Sequence, residues 1–468
     1  MAVLDPAPAP SAGDGPLRVA VIGAGPAGFY TAGALFKQDD VDVRVDMFNR
    51  LPTPYGLVRE GVAPDHESIK AVTRVFDRTG DDDRFRFFGN VSIGGDLSVQ
   101  ELQAYYHMLV YAVGAQSDRR LGIPGEDLAG SHPATIFVGW YNGHPDFADL
   151  DFDLSHQRAI VIGNGNVAVD VARILVRSVD ELAATDMADH AVTALQNSRV
   201  REVVMLGRRG PAQASFTSAE LKEFGQLAGV EVSVAAEQLE LDDTSQALID
   251  EERRVRRNLE ILADFAGRER TGANRTIELR FLASPVEILG TDGQVTGLRI
   301  ERNRLETGAD GYQRAVGTGE FETLDCGLVL RSVGYRGVAI PGVPFCERRG
   351  IIPNEQGRVT DGPGGSVRPG EYVVGWIKRG PSGIIGTNKP DAVETVGHML
   401  QDAGNLDREA VDPDPEAVVA CLRERGIRFV SYEDWKRIDA EERARGEPHG
   451  RPRSKIVRIE DMLGVCQR

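Results

Sequence analysis

Two stretches of this 468-residue chain run through the same order of apolar strand, glycine turn and small-residue helix. The first is LRVAVIGAGPAGFYTAGALF, residues 17–36, with Gly23-x-Gly25-x-x-Gly28. The second is RAIVIGNGNVAVDVARILV, residues 158–176, with Gly163-x-Gly165-x-x-Ala168, 140 residues further on. A short continuous apolar run reads as a parallel strand buried on both faces. The first glycine permits the tight turn out of the strand, the second lets the backbone approach a pyrophosphate, and the third position allows close helix–strand contact. The helix start then turns unpaired N–H groups and its positive dipole end toward the phosphates. Glycines at this spacing are common; between a strand and a helix they read as a dinucleotide cradle.

The remaining pattern extends this architecture. Strands are expected at 41–48 (VDVRVDMF), 109–115, 201–207 and 328–334, and another opens the glycine-rich 371–388. Helical patterns run over about 179–196 and through most of 405–468. Alternating strands and helices predict an α/β chain with two Rossmann-like dinucleotide-binding domains and parallel sheets. The loop at 51–66, LPTPYGLVREGVAPDH, is too long for a mere connector and reads as functional. Residues 1–16 read as a disordered tail, without the basic start and apolar core of a signal peptide.

The strand ends separate the two cradles. After the first, an acidic residue about 20 positions on should hold a ribose. The chain offers Asp46, which alternation can instead turn into the sheet, and then Asn49, which hydrogen-bonds a hydroxyl without a carboxylate's charge. After the second, Gly207-Arg208-Arg209 stands where an NAD site would place a carboxylate. Two guanidinium groups there match a 2′-phosphate. The pair therefore reads as FAD in the first cradle and NADP(H) in the second, with a hydride passing from nicotinamide C4 to flavin N5. Such a transfer needs positioning and exclusion of water. It requires neither a Ser/His/Asp triad nor a metal, and the sequence presents neither. Gly375-Trp376 and the stretch from Gly380 to Gly386 read as the closing edge of the flavin site, with Trp376 over a ring face.

Composition removes other classes. Lys and Arg total 54 against 71 Asp and Glu, a net charge of −17, which argues against a nucleic-acid partner. Cys326, Cys346, Cys421 and Cys466 form no C-x-x-C pair, so a thioredoxin-like dithiol, a zinc ribbon or an iron–sulfur domain is not expected. Sparse cysteines suit a cytoplasmic protein, and no apolar run is long enough to span a membrane.

VIGAGPAGFY, LPTPYGLVREGVAPDH, VIGNGNVAVDVARIL, GRRGP, RSVGYRG, EYVVGWIKRGPSGIIGTNK and GEPHGRPR together resemble the adrenodoxin-reductase-like ferredoxin–NADP reductases over about residues 17–468. The resemblance implies NADPH oxidation at FAD and single-electron delivery to a ferredoxin or adrenodoxin-like iron–sulfur protein, and indirectly to cytochrome P450. It implies FAD contacts at Ala27, Asn49, Leu57, Ile93, Trp376, Gly383, Ile384 and Ile385, beside the cradle glycines. It implies NADP contacts at Arg119, Asn164, Gly165, Asn166, Val167, Arg208, Arg209 and Glu220, with Gly383 also near the nicotinamide. His66 and Glu220 would modulate hydride or proton transfer. Members usually carry Glu where Asn49 stands, so either FAD is held less firmly or Asp46 compensates. The flavin domain would be discontinuous, 17–116 and 346–468, with the NADP domain 117–345 inserted and crossings at YAVGAQSDR and RSVGYRG.

A ferredoxin is usually acidic, so docking onto a chain of net −17 needs a local basic patch. Arg253, Arg254, Arg256 and Arg257 supply one, with 253 and 257 on one helical face. Two other functions use the same cradles: an NADPH-dependent flavin monooxygenase and a non-catalytic NADP(H)-sensing protein. The monooxygenase fingerprint F-x-G-x-x-x-H is missed by one residue in Phe137 to His144.

Overall fold

Leu17–Ile22 is buried at every position, and so are four of the five residues of Arg158–Ile162. These strands sit inside the two large sheets of the computed structural model, which describes residues 15–467. The tail expected over residues 1–16 lies outside the described residues except for Gly15 and Pro16.

The first sheet has seven strands in the order Asn354–Glu355, Arg358–Thr360, Val367–Val373, Met108–Tyr111, Leu17–Ile22, Val43–Asn49 and Phe85–Gly89. Its last five strands are parallel and its first three form an antiparallel edge. The second sheet is parallel throughout, in the order Ser131–Pro133, Leu328–Arg331, Arg158–Ile162, Glu202–Leu206, Arg275–Arg280 and Val230–Val234. The chain thus leaves the first sheet after Tyr111 and returns to it at Asn354. The outgoing Ser117–Asp118 and the returning Tyr335–Arg336 pair with each other, antiparallel.

Expected elements appear with shifted ends. The strand expected at 109–115 stops at Tyr111, and the helical pattern at 179–196 divides into Val179–Ala183 and Asp189–Gln196. A third sheet was not foreseen. Ala283–Thr291, Gln294–Thr307 and Gln313–Asp325 form an antiparallel three-stranded sheet against the second one. Its first turn is Asp292-Gly293, with φ of 52° and 80°, the two-residue hairpin that Asp-Gly favours. Val295, Leu298 and Ile300 are buried in a core shared with Ile160, Ile162, Val204 and Leu206.

Each large sheet packs its glycine-turn helix in the core. Helix Pro26–Leu35 lies with Val19, Val21, Val45 and Met47, and helix Asn166–Val176 with Val161, Val203 and Met205. The two bodies are bridged by buried charges. Lys70 donates to both oxygens of Asp186 at 2.6 and 2.8 Å, and Arg173 and Arg177 both reach Asp65.

Candidate functional site

The two cradles are built alike in atomic detail. Gly23 has φ +108°, and a Cβ there would lie 2.6 Å from the Ala112 carbonyl oxygen, just past the end of the neighbouring strand. Gly163 has φ +141°, and a Cβ would lie 2.2 Å from the Ser332 carbonyl oxygen. Both turns therefore sit where sheet connections diverge, at the carboxyl ends of the strands, which is where open α/β sheets bind ligands. A Cβ at Gly28 would meet the Gly23 carbonyl at 2.3 Å, so that glycine seats the helix on its turn. Gly25 and Gly165 differ from these. Each caps its helix in extended conformation, and a Cβ at either would meet no described atom within 4 Å. Open backbone before a helix start of ten or eleven residues fits a pyrophosphate.

The flavin-side residues gather around the first cradle. The loop after Asn49 is strapped to the glycine turn: Tyr55 N–H donates to the Ala24 carbonyl at 2.7 Å, and a Cβ on Gly56 would lie 3.2 Å from Gly25 Cα. Leu57 follows at once and is 37% exposed. Asn49 accepts from Ala24 N–H at 3.3 Å and donates to the Leu51 and Thr53 carbonyls at 3.0 Å each. Val91 N–H donates to the Asn49 carbonyl, and Ile93, two residues on, bridges to Leu97. Gly375 presses on helix Pro26–Leu35, where a Cβ would come within 2.7 Å of Ala27 Cβ. Trp376 then donates its indole N–H to the Ser382 carbonyl at 3.1 Å and tilts against Tyr335, with ring centroids 5.2 Å apart. Gly383 and Ile384 are exposed and Ile385 is half-buried.

Asp46 does not compensate for Asn49. It takes a bidentate pair from Arg86 at 2.8 and 2.6 Å and a hydroxyl from Tyr106 at 2.6 Å. Strand alternation explains this. Asp46 and Phe48 share one face, while Val45 and Met47 share the face packed on the cradle helix.

On the second cradle, Arg208 is exposed and Arg209 half-buried at the end of Glu202–Leu206. Asn164 and Asn166 also organise the neighbouring loop: Ser215 and Phe216 N–H groups donate to the Asn164 carbonyl, and Thr217 N–H to Asn166 Oδ1 at 2.8 Å. Val167 is half-buried behind them, and Arg119 is exposed next to Gly334.

A buried charge cluster joins the 51–66 loop to helix Asn166–Val176. His66, closing the 51–66 loop, donates to Glu223 across 2.9 Å when Nε2 carries the proton, and stands 3.7 Å from Glu220 and 3.8 Å from Asp170. Arg173 touches His66 Nε2 at 2.9 Å and Asp170 at 2.6 Å. One nitrogen cannot donate to Glu223 and accept from Arg173 together, so the tautomer of His66 selects its partner. Sequence reasoning found His66 and Glu220 and missed Asp65, Asp170, Arg173 and Glu223. The available signal was two charges three residues apart inside the apolar helix NVAVDVARILV. The ligating atoms of His66, Asp170 and Glu220 lie within 4.8 Å of one another, yet Arg173 already supplies positive charge there.

The cluster shifts its own acids. Burial pushes the Glu220 carboxyl up to about 7, with Asp170 adding to the effect and His66 opposing it. Burial opposes protonation of His66, but the Glu223 hydrogen bond and the Asp170 and Glu220 charges outweigh it and raise its pKa. Glu220 Oε2 has no hydrogen-bond partner among the described residues.

The four arginines of the expected basic patch are all exposed. Arg254 is exposed and donates to the Ala214 carbonyl at 2.7 Å, which ties helix Arg253–Gly267 to that loop. Arg256 donates to the Ile249 carbonyl at 3.0 Å and Arg257 to Glu260 at 2.6 Å, both at the surface. Arg253 is exposed, with no side-chain partner among the described residues.

Residues 17–209 match the family described as pyridine nucleotide-disulphide oxidoreductase. NADPH-ferredoxin reductase FprA of Mycobacterium tuberculosis (strain H37Rv) is 47% identical over 460 residues, covering 96% of this chain and 99% of the relative. The mitochondrial NADPH:adrenodoxin oxidoreductase of Arabidopsis thaliana is 42% identical over 467 residues, covering 97% and 96%. The solved structure of Mycobacterium tuberculosis FprA in complex with NADPH superposes with a TM-score of 0.92 at 46% identity, covering 97% of this chain and all of that one.

Proposed function

We propose, on the premise that this chain belongs to the family of the NADPH–ferredoxin and adrenodoxin reductases, that its two cradles hold FAD and NADP(H) around the His66 cluster. The chain is an NADPH-dependent FAD oxidoreductase that passes electrons to a ferredoxin or adrenodoxin-type partner. When bound, FAD supplies what no side chain can: it takes electrons from NADPH as a pair and releases them singly. Residues 17–116 and 346–468 form the FAD-binding part and 117–345 the NADP-binding part, supported by the departure from the first sheet after Tyr111 and the return at Asn354.

The observation that carries the site reading is the meeting of His66, from the flavin-side loop, with Asp170, Glu220 and Glu223, from the NADP-side helices, in a fold with two open helix starts. Gly23, Gly25, Ala27, Gly28, Asn49, Leu57, Ile93, Trp376, Gly383, Ile384 and Ile385 line the FAD side. Arg119, Asn164, Gly165, Asn166, Val167, Arg208 and Arg209 line the NADP side, with Gly383 and Glu220 toward the nicotinamide. Anaerobic NADPH should bleach the flavin of the purified protein, and NADPH should drive reduction of the organism's ferredoxins with cytochrome c as reporter. Persistence of the oxidised flavin spectrum under NADPH would reject catalysis in favour of passive binding. Free cysteines and the acidic net charge support a cytoplasmic protein without nucleic-acid partners, and a ferredoxin leads on to cytochrome P450. No helix among the described residues is long and apolar enough to cross a membrane.

Glu220 gives the site a pH dependence whose sign follows from charge. NADPH gains positive charge on its ring as it gives up hydride, so an ionised Glu220 favours that step and a protonated one does not. With the carboxyl pushed up to about 7, flavin reduction by NADPH should quicken as pH rises through that value. A partly screened charge at this range is worth about 1 kcal/mol, or roughly fivefold in rate. Glu220→Gln should flatten the profile in stopped flow at saturating NADPH; an unchanged profile would remove Glu220 from this role. Folding stability has the opposite sign. The folded state keeps this proton longer than the unfolded chain, so this contribution declines as pH climbs from 4.5 to about 7.

Docking rests on Arg253, Arg254, Arg256 and Arg257, of which Arg257 lines a groove of about 310 Å³ together with Lys222, Arg268, Glu260 and Asp264. Arg253→Glu with Arg257→Glu should raise the ferredoxin KM about tenfold at low salt while NADPH–ferricyanide turnover stays unchanged. Equal losses in both assays would mean a folding defect and no docking role.

A further inference from the structure

Tyr312 stands in the turn joining the last two strands of the antiparallel sheet and is 52% exposed, yet it is engaged with the second cradle. Arg209 Nη1 donates to its hydroxyl at 2.7 Å, and the Arg209 guanidinium carbon lies 5.3 Å from its ring centroid. Arg314 lies 5.7 Å from the same centroid and is itself held by both oxygens of Asp310, at 2.9 and 2.6 Å.

The base of this turn is fixed by polar contacts to the cradle's own body. Gln313, adjacent to Tyr312, accepts from Gln213 at 2.6 Å and donates to Asp242 at 3.0 Å. Asn303, 4% exposed, donates to the Arg208 carbonyl and to Ser284 Oγ, each at 2.8 Å. Leu282 N–H donates to the Arg209 carbonyl at 3.1 Å. The antiparallel sheet, with Leu282 just ahead of its first strand, thus pins the backbone of both arginines and presents a tyrosine to the side chain of one. An exposed arginine samples many rotamers, and ordering it on ligand binding costs affinity. A ring and a hydroxyl that hold the guanidinium beforehand remove part of that cost.

We propose that Tyr312 is a specificity-determining positioning residue, which holds Arg209 ready for the 2′-phosphate of the adenosine half of NADPH. This rests on the reading of Arg208 and Arg209 as the 2′-phosphate site and extends it to the antiparallel sheet. The hydroxyl and the ring act separately, so two variants divide them.

The test uses the flavin-loaded protein. Tyr312→Ala should raise the KM for NADPH about tenfold at unchanged kcat, leaving kinetics with NADH and flavin content at wild-type values. Tyr312→Phe, which keeps the ring and loses the hydrogen bond, should raise it about threefold. Calorimetry should show the same ranking for 2′,5′-ADP and no difference for 5′-ADP. A KM for NADPH that stays or falls in Tyr312→Ala would overturn the inference, as would equal weakening of both ADP isomers. Wild-type protein indifferent to the 2′-phosphate would overturn the nucleotide reading beneath it, and that failure is visible before any variant is made.

Discussion

Gly25→Val should yield a folded, colourless protein with less than about 1% of wild-type activity toward ferredoxin. The backbone there tolerates the side chain. Gly25 has φ −83° and ψ −176°, an extended conformation that valine adopts readily, and a Cβ would meet no described atom within 4 Å. Beyond the small cost of valine at a helix N-cap, the penalty comes from what the open space receives. A branched side chain placed against a pyrophosphate costs the close approach and the helix-start N–H bonds. A loss of roughly 4 kcal/mol is about a thousandfold in affinity. Gly23 and Gly28 are unsuitable for this test, because a Cβ at either would strike a backbone oxygen of the protein itself at 2.6 or 2.3 Å. Visible absorbance reports the flavin, and circular dichroism against flavin-stripped wild type reports the fold, since lost ligand alone lowers thermal stability. Recovery of the variant with a full complement of FAD would remove the first cradle from flavin binding. Gly165→Val is the mirror case, extended at φ −101° and ψ 178° with the same open space. It should keep its flavin and lose response to NADPH, so the pair of variants assigns one nucleotide to each cradle.

That both cradles were legible in the sequence has a local cause. Strand, turn and helix are contiguous, and each glycine answers a constraint set within a few residues or by the strand alongside. The His66 cluster has no such locality. It draws on residues 65–66, 170–177 and 220–223, which only the packing of two sheets brings together. His66 and Glu220 were named through family resemblance, while Asp170 and Arg173 announced themselves only as charges inside an apolar helix. Asp46 shows how one residue of strand parity decides a role: a shift from 46 to 47 would have turned the carboxylate toward the cradle. The antiparallel sheet went unread although Asp292-Gly293 is a strong hairpin signal, because its strands are half solvent-facing and charged rather than apolar runs. Arg254 shares a sequence cluster with three other surface arginines, and its long side chain folds back to a loop carbonyl, which no helical spacing foretells.

Arg208→Ala with Arg209→Ala should lower kcat/KM for NADPH by about 10²- to 10⁴-fold while moving that for NADH by less than about threefold. Hydrogen bonds to a charged group are worth roughly 1.5–3 kcal/mol each, so two guanidinium groups on one phosphate account for about 3–6 kcal/mol, which converts to that range. The loss should fall on KM rather than kcat, because the 2′-phosphate sits at the far end of the nucleotide from the hydride. The variants leave the fold alone: Arg208 is exposed without a side-chain partner among the described residues, and the Arg209 side chain hydrogen-bonds only Tyr312 among them. The main chain at these positions stays held by Asn303 and Leu282, which bond carbonyls and not side chains. The single variants should differ. Arg209 is held before ligand arrives and Arg208 is not, so Arg209→Ala should be the costlier of the two, and their sum need not equal the double because both meet one phosphate. Assays belong at one fixed ionic strength, since screening weakens exposed charge pairs. Parallel losses for NADPH and NADH would mean that the arginines support the cradle generally. The end of Glu202–Leu206 would then carry no preference for the phosphorylated nucleotide, and the second cradle would be an NAD site.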